Sequence, residues 1–382
     1  MWQVRQRRSI GVTRITLLFA LAATVAPLSA LVATRGSSPP AQVAPLPAQL
    51  SDAEFWKLVS DISEPGGYFR IVDNFTSNER EVGQLYSMLR ERGTSGGVYL
   101  GVGPEQNFTY IAAIRPAMAF IIDIRRQAVM QHLMFKAMFE LSNDRADFIS
   151  MLFGKPRPAG LDSTTSIQAI WDAFWPVISD SALSAQNYAR IVEHLTRTRG
   201  FAFTPDESAQ LKHVYDSFYW FGPEISTRGT RSQRGWGNNS TFADLTGYSY
   251  DASGEPRSFL SSEENFRYVK SLHARNLIVP VSGDFGGPKA IRAIGEWLHR
   301  HGGVVSAFYV SNVEQYLFQD GKQDAFYANV AALPLSEQSV FIRPYSLRRY
   351  GVTESLCPIT PFIGAAKNGL VYNYGDALAC IR

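Results

Sequence analysis

From Ser51 onward the apolar residues switch repeatedly between two spacings. Short, nearly continuous apolar runs occur at Gly97–Leu100, Ala119–Asp123, Asn276–Ser282 and Val304–Val310, the pattern of strands covered on both faces. Between them, apolar positions three and four apart predict helices over Asp52–Ile62, Glu79–Arg92, Phe108–Ile114, Ala128–Ser142 and Lys289–His299. The same spacing continues through 144–153, 166–178, 181–196 and 206–220, so the stretch from about 144 to 275 reads as a helical insertion or lid. Ser51 with Glu54 forms a capping box for the first helix, Pro288 suits the start of a later one, and Gly302-Gly303 ends it. Ser339–Arg343 is a candidate last strand. Strand, turn and helix repeating in this way predict one α/β domain over 51–382, built on a doubly wound, mostly parallel sheet.

The turn after the first strand carries the candidate chemistry. Val98-Tyr99-Leu100 leads into Gly101-Val102-Gly103-Pro104-Glu105-Gln106-Asn107, and the second strand ends in Asp123. Glycines let a backbone approach a ligand closely, and a following helix N-terminus offers unpaired N–H groups. A carboxylate at the end of the next strand accepts hydrogen bonds from ribose hydroxyls. Gly103 and Asp123 are 20 residues apart, as one helical crossover to a neighbouring parallel strand requires. A dinucleotide fingerprint wants a third glycine where Gln106 stands, which argues against NAD or FAD and suits a phosphate-free ligand such as S-adenosylmethionine. A tight strand-to-helix turn with no ligand explains the same glycines.

Other polar residues follow the later strands. Asp284 lies in Gly283-Asp284-Phe285-Gly286-Gly287-Pro288, and Asn312 in Ser311-Asn312-Val313-Glu314. Doubly wound sheets bind ligands beyond the carboxyl ends of their strands, so Gly101, Gly103, Asn107, Asp123 and Asp284 are candidate cofactor contacts, and Asn312 a candidate substrate contact. Asp284 reads equally as a helix cap, and Asn312, with Glu314, reads more readily as a cap than as a contact. Glu64 and Tyr68, around the turn Pro65-Gly66-Gly67, are further candidate substrate contacts.

Composition narrows the picture. The 382 residues are 45% hydrophobic, enough for a large core, and the net charge of +3 is too small to indicate nucleic acid. Tyr215–Phe221 and the arginine-bearing stretch Arg228–Trp236 pair aromatics with cations, but they read as a buried helix and a solvated loop. Arg5, Arg7, Arg8 and Arg14 precede an apolar run from Ile15, so residues 1–36 read as a secretory signal, with a membrane anchor as the alternative. Residues 37–50 form a proline-rich linker. The expected location is the periplasm, free or anchored. Cys357 and Cys380, the only cysteines, would pair in an exported protein and otherwise be separate buried thiols. Six histidines and two cysteines show no metal spacing.

The segments Ile62–Phe69, Gly97–Phe108, Gly283–Pro288 and Ala307–Tyr316 resemble an uncharacterised bacterial family, over roughly Ser51 to Arg343. That family is similar in fold to class I S-adenosylmethionine-dependent methyltransferases. The resemblance implies a methyltransferase-like sheet, S-adenosylmethionine as cofactor and Asp123 as the ribose-binding acid. Tyr99 stands where such enzymes usually carry an acid, and Glu105 where they carry a third glycine. Two functions follow. One is methyl transfer to an unknown acceptor, which needs positioning more than a dedicated nucleophile. The other is an exported or anchored protein that keeps the fold for binding or assembly.

Overall fold

The structure, a computed structural model, describes residues 44–79, 82–92, 96–227, 240–343 and 355–381. The basic and apolar N-terminal segment, the first part of the proline-rich stretch and the loop Arg228–Trp236 lie outside the described residues. At the centre is a six-stranded sheet. In chain order its strands are β1 (Val98–Val102), β2 (Met118–Asp123), β3 (Ile278–Ser282), β4 (Val305–Tyr309), β5 (Leu335–Ile342) and β6 (Leu356–Pro358). Their spatial order is β3-β2-β1-β4-β5-β6, with every pair parallel except β5 with β6. The protein is therefore mixed α/β with a mostly parallel sheet, and the order is compatible with a Rossmann-like, doubly wound architecture. All residues of β1, β2 and β3 are buried, which accounts for their unbroken apolar runs.

Strand order reverses between β1 and β4: the chain builds outward through β2 and β3, then crosses back to β4. Helix α3 (Gln106–Ile114) links β1 to β2, and α11 (Ala290–Arg300) links β3 to β4. Right-handed crossovers in opposite directions put these two helices on opposite faces. The helices α1 (Asp52–Ile62) and α2 (Val82–Glu91) precede the sheet, and the expected Ser51–Glu54 capping box is present. Helix α4 (Arg126–Leu141) follows β2 and is buried on nearly every side, as a helix with little amphipathic contrast must be. One side meets β2 and β3, and the other meets the insertion.

That insertion comprises α5 (Arg145–Phe153), α6 (Ile167–Phe174), α7 (Ser181–Glu193), a π-helical turn His194–Thr198, α8 (Pro205–Phe221), α9 (Phe242–Gly247) and α10 (Glu263–Ala274). It forms an outer layer on α4 through Phe135, Phe148, Phe153 and Phe218, rather than a lid over the sheet. Helices α12 (Val313–Gln319) and α13 (Gln323–Ala331) connect β4 to β5, and α14 (Ile359–Lys367) and α15 (Tyr374–Leu378) follow β6. Cys357 and Cys380 form a disulfide, Cα–Cα 5.7 Å, tying β6 to the chain after α15. No helix among the described residues is long and apolar enough to cross a membrane.

Candidate functional site

A cleft opens where the strand order reverses, beyond the carboxyl ends of β1, β2, β3 and β4. It is walled by Val102-Gly103-Pro104, Asp123-Ile124, Gly283-Asp284-Phe285 and the Tyr309–Val313 stretch. Asn74, Ser77, Asn78 and Thr227 close one side, and Tyr68, Phe69 and Tyr316 the mouth. It encloses about 1050 Å³ of free space counted out to open solvent.

The two glycines of the turn do different work. Gly101 lies within β1, where an added Cβ would run into Asn107 Oδ1 and stand 2.7 Å from the Tyr99 hydroxyl. Asn107 is fully buried and stitches the turn: its Nδ2 donates to the carbonyls of Val102, Gly103 and Pro104, and its Oδ1 accepts from Tyr99. Neither Gly101 nor Asn107 lines the cleft, contrary to expectation; the close packing of Tyr99 on Asn107 consumes both. Gly103 does line it. Its φ of +76° needs glycine, and nothing lies within 4 Å of where its Cβ would be. From beneath, His132 Nε2 meets the Gly103 carbonyl at 2.8 Å. Burial pushes that imidazole down to about 4, so it is neutral, with Nε2–H as the donor.

Asp123 ends β2 inside the cleft, 6% exposed, but it is not alone. Arg125 grips it: the backbone N–H and Nε both donate to Oδ1 (2.9 and 3.1 Å), and one terminal nitrogen donates to Oδ2 at 2.9 Å. A carboxylate offers about four acceptor positions, so one on Oδ2 is left for a ligand hydroxyl. The Arg125 guanidinium also donates to the carbonyls of Val72 and Asn74, holding the segment 72–79 over the strand ends. Gln131 donates to the Phe75 carbonyl and Thr227 to that of Thr76, which fixes the same segment. At its end, Glu79 accepts from Tyr309 and Ser311 of the cleft wall and from Gln106.

Asp284 also lines the cleft and also has a cation, Lys322, at 2.8 Å. It does not cap α11. Its Oδ1 accepts from Gly286 N–H within its own loop, and the cap comes from Glu64. The Glu64 carboxylate accepts from the backbone N–H groups of Asp284 (3.2 Å), Lys289 (3.0 Å) and Ala290 (2.8 Å). Glu64 reaches there because its own N–H pairs with the Ser282 carbonyl and Gly67 N–H with that of Ile124, laying the Pro-Gly-Gly turn across the ends of β3 and β2. Glu64 therefore serves the loop and does not line the cleft. Tyr68 stands at the mouth, 79% exposed. Asn312 is at the N-cap position of α12 but makes no side-chain cap, so its amide is available to the cleft it lines.

A second carboxylate beside the cleft shows in the sequence only as a departure from the glycine pattern, not as a site residue. Glu105 holds the N-cap position of α3 and is 1% exposed. Its Oε1 accepts from the Thr76 hydroxyl (2.5 Å) and the Ser77 N–H (3.2 Å), while Oε2 has no partner. Burial pushes this carboxyl up to about 7. The N-terminus of α11 is thus held by the chain's own acid Glu64, whereas Glu105 at the N-cap position of α3 makes no side-chain cap and turns to the segment 76–77 instead. Among the lining residues Asp123, Asp284 and Asp320 face one cation, Lys322. No group of three or more His, Cys, Asp or Glu that could hold a metal occurs among the described residues. Sequence reasoning misses Arg125, Glu105 and Lys322 because nothing in their local sequence marks the partners they meet.

Residues 74–167 and 243–374 match a family described as Domain of unknown function (DUF7790). The chain belongs to that family. The match covers more than half of the chain and includes the glycine turn, Asp123, Asp284 and Asn312, while leaving out α7, α8 and most of α6. A comparison with curated proteins found no match.

Proposed function

We propose that this member of the family is a methyltransferase-like protein whose cleft holds S-adenosylmethionine or a close adenosyl relative, for methyl transfer to an acceptor of unknown identity. One observation carries the reading: the open backbone of Gly103 after β1 and the Asp123 carboxylate after β2 face the same cleft, where the strand order reverses. Asp123, steadied by Arg125, keeps one acceptor position for a ribose hydroxyl. Gly103 presents peptide groups without a side chain in the way. Lining groups that are acidic on balance suit a cationic ligand better than a pyrophosphate. When bound, S-adenosylmethionine supplies an electrophilic methyl group on a sulfonium. The chain's contribution is to orient and to exclude water, with Asn312 and Asp284 on the opposite wall available to an acceptor. No side chain is assigned a covalent role.

The second reading, binding without turnover, is favoured by the Arg125–Asp123 pair, which leaves the acid only partly free. Calorimetry on the full chain tests the first part of both. Adenosine and S-adenosylhomocysteine are expected to give saturable heat, and 2′,3′-dideoxyadenosine to bind at least about tenfold more weakly for want of the hydroxyls. Altering the ligand is cleaner than altering Asp123, whose loss would strand a buried arginine. No heat from any adenosyl compound at millimolar concentration removes the cofactor reading.

A further inference from the structure

We propose that Glu64 and Glu105 are specificity-determining residues of the cleft, which by holding their carboxyl groups at the two flanking helix N-termini admit a phosphate-free nucleoside ligand and reject a phosphorylated one. This rests on the adenosyl reading of the cleft and names which members of that ligand class it takes.

The glycine-bearing loop Gly283–Lys289 and the start of α11 make a concave set of backbone N–H groups, the arrangement that in nucleotide-binding folds receives a phosphate. Three of those N–H groups point at Glu64. The Gly287 backbone leaves no more than 2.7 Å between an added Cβ and Glu64 Oε2, so the carboxylate fills the hollow to contact. A phosphate there would meet both occupied donors and a like charge. The other side differs in its hydrogen bonds but also carries an acid at a helix start. The N-terminus of α3, directly after the cleft residues Gly103 and Pro104, carries Glu105, pinned by Thr76 and Ser77. Ser77 itself lines the cleft and donates its N–H to Glu105, so an anion approaching the turn comes close to this acid. The middle of the cleft, between Asp123 and Asn312, has no such block.

The test compares adenosine with ADP on the full-length protein by calorimetry. Adenosine is expected to bind, and ADP at least about a hundredfold more weakly. Glu64→Gln, which keeps the shape and removes the charge, should narrow that gap by about tenfold while leaving adenosine within about threefold of its original affinity. Glu105→Gln should act in the same direction in titrations run above pH 7, where its carboxyl is ionised, and serves if the first variant loosens α11. ADP binding as tightly as adenosine to the unaltered protein, or a gap unmoved by both variants, overturns this inference and leaves the adenosyl reading standing. Failure of adenosine and ADP alike overturns both.

Discussion

A methyl group on Gly101 would collide with Asn107 Oδ1 and the Tyr99 hydroxyl, whereas one on Gly103 would meet nothing within 4 Å. The two glycines, two positions apart in one turn, therefore predict opposite outcomes. Gly101→Ala overpacks a buried, fully hydrogen-bonded site and should cost about 3 kcal/mol of stability. Gly103→Ala should cost only about 1 kcal/mol, the penalty of a side chain at positive φ, but should weaken adenosine binding, because the new methyl projects into the cleft. Thermal melts and calorimetry on the two variants separate these effects, and equal destabilisation would contradict the division. The sequence shows both glycines plainly. It cannot tell which faces outward, because that depends on the side chain of Asn107 folding back four to five residues onto the turn.

At the scale of elements, the strands β1 to β4 were legible because strands buried on both faces must be apolar without interruption. Helices α1, α4 and α11 were legible from spacing and caps. The first half of β5 is polar and largely exposed, so the sequence points only to its last residues. Strand β6 is three residues long, too short to alternate visibly. The segment 72–79 has no regular structure and was unreadable as a part of the site, since its placement depends on Arg125, Gln131, Thr227 and Glu105, all remote in sequence. Glu105 is its latch to α3, and its proton can be followed. The folded carboxyl holds that proton up to about 7, against 4.5 for a freely solvated glutamate, so its contribution to stability is complete below the lower value and lost as pH rises to the upper one. The loss is about 3 kcal/mol at the full shift. His132, pushed down to about 4, has the opposite slope over part of the same range, so the comparison is made between variants. Urea unfolding across this range should show Glu105→Gln gaining on the unaltered protein as pH rises. Parallel profiles would contradict the latch.

For the molecule as a whole, element order and the position of the cleft were legible, because a doubly wound sheet puts its ligand crevice where strand order reverses. Gly103, Asp123, Asp284, Asn312 and Tyr68 do meet there, although no two of the last four lie in the same segment. What the sequence hid is the set of partners that occupy the candidates: Arg125 on Asp123, Lys322 on Asp284, and Glu64 on a helix start 225 residues away. Local pattern sets where a strand ends. Only tertiary contact sets which charge waits beside it, and that decides which ligand is admitted. The most direct measurement is a crystal of the full chain soaked with S-adenosylhomocysteine. The account predicts density over Gly103 with a ribose hydroxyl in hydrogen-bond reach of Asp123 Oδ2 and no displacement of Glu64. A cleft that holds no ligand under saturating conditions, or a ligand seated elsewhere on the protein, would contradict it.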